Sequence, residues 1–177
     1  MGGKKEGRTV VVTLDKSPES EYALRWVLKH LVRGRLTKER PATDGKLVKP
    51  VGDTVVLLHS RPVQQMNVST SGKVFVSKEL RELMENLNVQ EEDATEKILS
   101  DAIKLCNDYH VNATTLVEAG DPRNVICDAV KNLHADVLVM GSHSYSNVQR
   151  SFLGSVSDYC AHNSNCTILI VKKPMQG

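Results

Sequence analysis

The sequence predicts an α/β fold in which one parallel sheet carries helices on both faces. Five short, nearly unbroken apolar runs point to strands buried on both sides: 8–14, 54–59, 111–117, 137–140 and 167–171. Segments of helical period alternate with them, and polar turns rich in Gly, Asp and Pro separate the two kinds. The order is β-α-β-α-β-α-β-α-β with no internal repeat. Such alternation implies parallel pairing through right-handed crossovers. A chain of 177 residues is long enough for one well-buried core.

The first run, Arg8 to Leu14, is β-branched and ends at Asp15-Lys-Ser-Pro-Glu-Ser20. Ser17 is placed to cap a helix with Pro18 in its first turn and Glu19 and Glu21 near the positive end. Ala23, Val27 and Leu31 form that helix's apolar side, with Trp26 beside them. Glu21, Arg25, Lys29 and Arg33 recur every four residues on a solvated face. Residues 34–53 have no period and read as a surface insertion, which costs little closure entropy. Thr54 to His59 is the second strand, ended by Arg61-Pro62, and residues 61–76 read as a mobile loop.

From Ser77 a long helical pattern runs through Leu80, Leu83, Met84 and Leu87, then Ala94, Ile98, Ala102, Leu105, Cys106 and Tyr109. Asn86 to Val89 is expected to kink it. Val111 to Val117 is the third strand. Gly120-Asp121-Pro122 makes a compact turn with Asp121 as N-cap and Pro122 at the first helical position. Val125, Ile126, Ala129, Val130 and Leu133 are that helix's buried stripe. Val137 to Met140 is the fourth strand and stops at Gly141. After a polar loop, Gly154-Ser155 opens a helix with Val156, Tyr159 and Cys160 at helical spacing. Thr167 to Val171 is the fifth strand, ended by Lys172-Lys173-Pro174. Residues 1–7 read as a flexible leader and 175–177 as a tail, leaving one domain over 8–174.

Composition narrows the function. A net charge of +2 is too small to argue for nucleic acid or an anionic membrane surface. No apolar run approaches the roughly 20 residues that span a bilayer. The N-terminus has no hydrophobic signal core, and Met1-Gly2 lacks the Ser or Thr that myristoylation needs, with Glu6 standing there. A cytoplasmic location is expected, with the nucleus as alternative. Cys106, Cys127, Cys160 and Cys166 form no Cys-x-x-Cys pair and no zinc-ligand spacing, so reduced thiols and no metal site are expected.

In parallel sheets, ligands sit outside the carboxyl ends of the strands where the winding reverses. Those ends are Leu14-Asp15, His59-Ser60, Glu118 to Gly120 and Met140-Gly141. The stretch after Met140 combines a strand, a glycine stop, a polar loop and a Gly-Ser helix start. Free N–H groups at a helix N-terminus, its dipole and a glycine that lets phosphate approach can together make an anion site. On these residues alone the stretch is either such a site or an ordinary connection whose glycines only make turns.

Gly141, two residues, Ser144, nine residues and Gly154-Ser155 resemble the Gly-x2-Gly-x9-Gly-Ser/Thr signature of the ATP-binding branch of the universal stress protein family. One position departs, since Ser144 stands where the family has its second glycine. The resemblance extends from Thr9 to Lys173. Val-Val-Val-Thr-Leu-Asp15 with its Ser-x-x-Ser tail resembles the family's first strand and turn, and Val55 to His59 its second strand. Gly120-Asp-Pro resembles the third turn, and Cys166 to Val171 the last strand. The Tyr-Ala-Leu-Arg-Trp helix and single-domain length resemble a stand-alone plant member.

The resemblance implies a Rossmann-like, adenine nucleotide alpha hydrolase-like domain with a five-stranded parallel sheet in the order 3-2-1-4-5. It implies AMP or ATP as ligand, magnesium accompanying ATP, and a homodimer paired through Thr167, Ile168, Leu169, Ile170 and Val171. Thr13, Leu14 and Asp15 match the edge that lines the adenine and ribose pocket. Ser60 stands where the family usually has a Val whose backbone reads the adenine. Met140 matches the pocket floor. Gly141, Ser142, His143, Ser144, Gly154, Ser155, Val156 and Ser157 match the positions around the phosphates. The Ser155 and Ser157 hydroxyls could donate to phosphate oxygens. Arg150 could reach the outer phosphates or be simply solvated. His143, with no nucleophile or carboxylate beside it in the motif, reads as a loop residue rather than a general acid or base.

The implied function is adenine nucleotide binding by a stress-response sensor or signalling module. A slow ATPase or transferase is the alternative. The chain has neither a Gly-x4-Gly-Lys-Ser/Thr loop nor the His-x-Gly-His motif of related nucleotidyl transferases, which favours binding over turnover. A third reading is a chaperone-like dimeric interaction protein, which exposed apolar patches would support.

Overall fold

The computed structural model describes residues 7–32, 40–41, 47–48, 52–61, 77–142 and 154–174. Its elements are β1 (Thr9–Leu14), α1 (Pro18–His30), β2 (Arg40–Pro41), β3 (Leu47–Val48), β4 (Thr54–Arg61), α2 (Lys78–Asp108), β5 (Ala113–Ala119), α3 (Pro122–Asn132), β6 (Val137–Gly141), α4 (Ser155–Asn163) and β7 (Thr167–Val171). The main sheet runs β5-β4-β1-β6-β7. All four pairings are parallel. Counting its five strands alone, the order is 3-2-1-4-5. β2 and β3 add a separate antiparallel ladder of two residues each, inside the segment expected to be irregular.

Each strand divides its side chains between two cores because successive Cβ atoms point to opposite faces. Val10, Val12 and Leu14 of β1, Val55 and Leu57 of β4, and Val137 and Val139 of β6 pack under α1 and α2. Val11, Val56, Leu58, Leu138 and Met140 pack under α3 and α4 with Ile126, Ala129, Val130 and Cys160. Both parities are apolar, which is why the runs read as unbroken rather than alternating. The winding reverses at β1, whose neighbours are β4 on one side and β6 on the other.

The helix starts follow the expected chemistry. The Ser17 side chain accepts from the Ser20 N–H at 3.2 Å with Pro18 in the first turn. Asp121 accepts from the Arg123 N–H at 2.9 Å, followed by Pro122. Ser77 caps α2 through the Leu80 N–H at 3.2 Å.

α2 corrects one expectation, the kink at Asn86 to Val89. It is one continuous helix of 31 residues with no break at Asn86 to Val89, where neither Pro nor Gly interrupts the backbone ladder. It is also too long to lie wholly on the sheet. Thirty-one residues span about 46 Å, whereas the eight of β4 span about 27 Å. Its buried residues, Thr95, Ala102, Leu105 and Cys106, all fall in the second half. Leu80, Leu83, Leu87 and Val89 of the first half are 40–54% exposed.

Candidate functional site

β1 and β6 meet where the winding reverses, and their carboxyl ends open on the α3 and α4 side of the sheet. A cavity of about 370 Å³ lies there. Thr13, Leu58, Ser60 and Met140 line it from the sheet, and Leu14, Asp15 and Gly141 from the strand ends. Gly154, Ser155, Val156 and Ser157 of the α4 start close one side, and Pro122 and Ile126 of α3 another. Thr13, Leu58, Ser60 and Met140 share one strand parity, that of the α3/α4 face, which explains their convergence.

The strand ends are held by short polar ties. The Thr13 hydroxyl donates to the Val139 carbonyl at 3.4 Å, linking β1 to β6. The Ser60 hydroxyl donates to the Gly120 carbonyl at 3.3 Å, and the Gly120 N–H donates to the Arg61 carbonyl at 2.9 Å. Asp15 shapes the β1–α1 turn, its carboxylate accepting from the Ser17 N–H at 2.8 Å and from the Ser17 hydroxyl. Buried Ser20 completes the turn, its hydroxyl donating to the Ser17 carbonyl at 3.0 Å. On the opposite face, buried His59 sets Nδ1 2.8 Å from the Leu14 carbonyl, so that nitrogen carries the proton.

Two glycines act differently. A Cβ on Gly141 would lie 2.7 Å from the Glu19 carbonyl carbon and oxygen and 2.8 Å from the Ser20 nitrogen. Glycine there lets the end of β6 touch the start of α1. Gly154 is the N-cap of α4 with φ −61° and ψ 152°, open to any residue, and caps the helix with no side chain. The first N–H groups of α4 have no carbonyl one turn back to bind.

The lining includes ten of the fourteen residues singled out from the sequence. Ser142 departs from that reading: it is buried, its N–H donates to the Val171 carbonyl at 2.9 Å, and it is not part of the wall. Ser157 reaches the cavity, but its hydroxyl donates to the Gly154 carbonyl at 2.9 Å, the return bond of a first-turn serine. His143, Ser144 and Arg150 lie outside the described residues. Ser20, Leu58, Pro122 and Ile126 were missed. Ser20 and Pro122 belong to turns already marked by sequence, whereas Leu58 and Ile126 look like any core residue. Asp15 is the one carboxylate among the described lining residues. Among the described residues no group of His, Cys, Asp and Glu is arranged to hold a metal ion, and no helix is long and apolar enough to cross a membrane.

The model of the universal stress protein family matches residues 7–172. The chain belongs to that family. Universal stress protein A-like protein of Arabidopsis thaliana is 25% identical over 178 residues, covering 95% of this chain and 91% of its own length. Among solved structures, protein MJ0577 of Methanocaldococcus jannaschii superposes with a TM-score of 0.68 at 20% identity, covering 96% of this chain and 98% of that one. A universal stress protein family protein of Arabidopsis thaliana, solved with AMP bound, superposes with a TM-score of 0.57 at 19% identity, covering 94% and 92%. The universal stress protein fold thus holds across the chain while most side chains differ.

Proposed function

We propose that this universal stress protein binds an adenine nucleotide, AMP or ATP, in the cavity at the β1/β6 edge, as a nucleotide-responsive module of the stress response. One observation carries the reading. The cavity joins an uncapped helix start at Gly154 to a mixed apolar and polar wall from β1, β4 and β6. Free N–H groups and the helix dipole suit a phosphate, and Leu58, Met140, Val156 and Ile126 suit a flat base. A volume of 370 Å³ lies within the ~300–1,000 Å³ of small-molecule sites. The AMP-bound Arabidopsis relative supports the same class of ligand. The hydroxyls of Thr13 and Ser60 are the sheet's polar handles, and Ser155 stands exposed at the helix start. His143, Ser144 and Arg150 remain proposed phosphate neighbours on the signature alone. Magnesium is left out of the proposal, because Asp15, the one carboxylate among the described lining residues, is engaged in shaping the β1–α1 turn.

Nucleotide released from denatured protein and identified by chromatography tests the ligand directly. A ligand present at 100 times its Kd stabilises the fold by about 2.7 kcal/mol, a rise in Tm of roughly 5–11 °C for a chain of this length. If neither AMP nor ATP raises Tm or gives heat in a titration, the nucleotide reading fails.

The proposal includes a homodimer joined at β7. That strand is the outer edge of the sheet beyond β6, and Ile168, Leu169 and Ile170 are only half-buried. The opposite edge, β5, exposes Thr114, Thr115 and Glu118 together with Val117 and Ala119, a more polar set than the apolar run of β7. Two-fold pairing would satisfy the open side of β7.

A chaperone-like interaction role is the second reading. The exposed Leu80, Leu83 and Leu87 of α2 favour it, because their spacing sets an apolar row on one helix face. Leu83→Glu with Leu87→Glu should abolish any suppression of client aggregation by this protein. Unchanged suppression would remove the row from that role.

A further inference from the structure

α3 and α4 wall the cavity at their amino ends, through Pro122 and Ile126 on one and Ser155 to Ser157 on the other. One turn or less further along, each helix places a cysteine against the other. Cys127 Sγ lies 4.0 Å from Cys160 Sγ, a van der Waals contact between two free thiols. Cys127 is partly exposed, Cys160 is fully buried, and the Ser164 hydroxyl lies 3.5 Å from Cys127 Sγ, within reach to donate to a thiolate there.

We propose that Cys127 and Cys160 form a peroxide-oxidisable pair whose disulfide staples α3 to α4 and so fixes two walls of the cavity. Its link to ligand binding rests on the nucleotide reading above. Cys127 is the entry point, since the oxidant reaches it from solvent. Its thiolate attacks hydrogen peroxide, the O–O bond breaks, hydroxide leaves and takes a proton to become water, and Cys127 becomes a sulfenic acid. The Cys160 sulfur then attacks the Cys127 sulfur. The S–S bond forms, the S–O bond breaks, and the hydroxyl leaves as water with the proton of the Cys160 thiol. Two thiols thus give up two electrons and one peroxide becomes two waters. The sulfurs must close from 4.0 Å to about 2.05 Å, a side-chain rotation with a small helix shift. Burial, followed by the neighbouring sulfurs of Cys127 and Cys166, pushes the Cys160 thiol up to about 12. Buried and held as the thiol, Cys160 is the resolving partner and Cys127, the more exposed of the two, the entry point.

The test treats the full chain with hydrogen peroxide, blocks remaining thiols by alkylation and maps the peptides by mass spectrometry. A Cys127–Cys160 linked peptide is expected, with Tm raised on the order of 5–10 °C and restored by dithiothreitol. Cys166→Ser should retain both effects, and Cys127→Ser should lose both. Recovery of Cys127 as sulfinic acid with Cys160 still alkylatable, pairing of Cys127 with Cys166, or a link between two chains would each overturn the staple. The reduced and oxidised forms are then titrated with AMP, and a change in affinity of at least threefold is expected. Equal affinity overturns the coupling to the cavity. Failure of both forms to bind AMP sinks the nucleotide reading and the coupling with it, while the linked peptide still decides the staple.

Discussion

Gly141 and Gly154 belong to one sequence signature but answer to different physics. An added Cβ at Gly141 meets α1 backbone at 2.7 Å, and backbone cannot rotate away as a side chain can. Gly141→Ala should therefore cost about 1–3 kcal/mol in urea denaturation; full stability would mean that α1 shifts freely. Gly154 has ordinary dihedrals, so Gly154→Ala should change stability by less than about 1 kcal/mol yet weaken AMP binding. An alanine variant that binds AMP as tightly as wild type would place the phosphate elsewhere. Asp121 gives a pH test. Its hydrogen bonds from the Arg123 side chain and N–H hold the carboxyl down at about 2. A depressed folded value stabilises above the unfolded value near 3.8 and is lost as pH falls toward 2. Asp121→Asn should thus lower Tm at pH 6, with the gap closing between pH 4 and 2; a gap independent of pH would exclude the charge as its cause.

At the scale of elements, α2 separates helix formation from burial. Its first half carries apolar residues at helical spacing, as its second does, yet only the second meets the sheet. Leu83→Gln should leave the unfolding free energy within about 0.5 kcal/mol of wild type, whereas Leu105→Ala, in the buried half, should cost about 2–5 kcal/mol. A large loss at Leu83 would show that the first half is covered in solution. Exposed ion pairs, Lys16 with Glu91 at 2.8 Å and Arg61 with Glu92 at 3.3 Å, mark where the helix leaves the body. They contribute little stability. Ile168 and Ile170 of β7 turn toward α3 and α4, so charging them would damage the core together with any dimer contact. The oligomer is therefore better read from mass than from those substitutions.

For the molecule as a whole, light scattering should give twice the 19.6 kDa of one chain; a monomer at high concentration would rule out pairing through β7. The sequence by itself determined the five core strands, the caps at Ser17 and Asp121, the start of the long helix at Ser77, and the family, because these rest on local chemistry. β-branched runs, Ser, Asp and Pro at helix starts, and glycine spacing act over a few residues and need no distant partner. The strand ends named the sheet edge, so Thr13, Asp15, Met140 and Gly154 were legible as cavity residues. Only the tertiary structure brought Leu58 and Ile126 into that wall, and only it turned Ser142 inward to Val171. It also left the first half of α2 exposed and set Cys127 beside Cys160. Each depends on which elements pack together and how far each extends past its neighbour. Helical or strand period fixes which residues share a face, but contact across 33 residues of chain is fixed only when the faces meet.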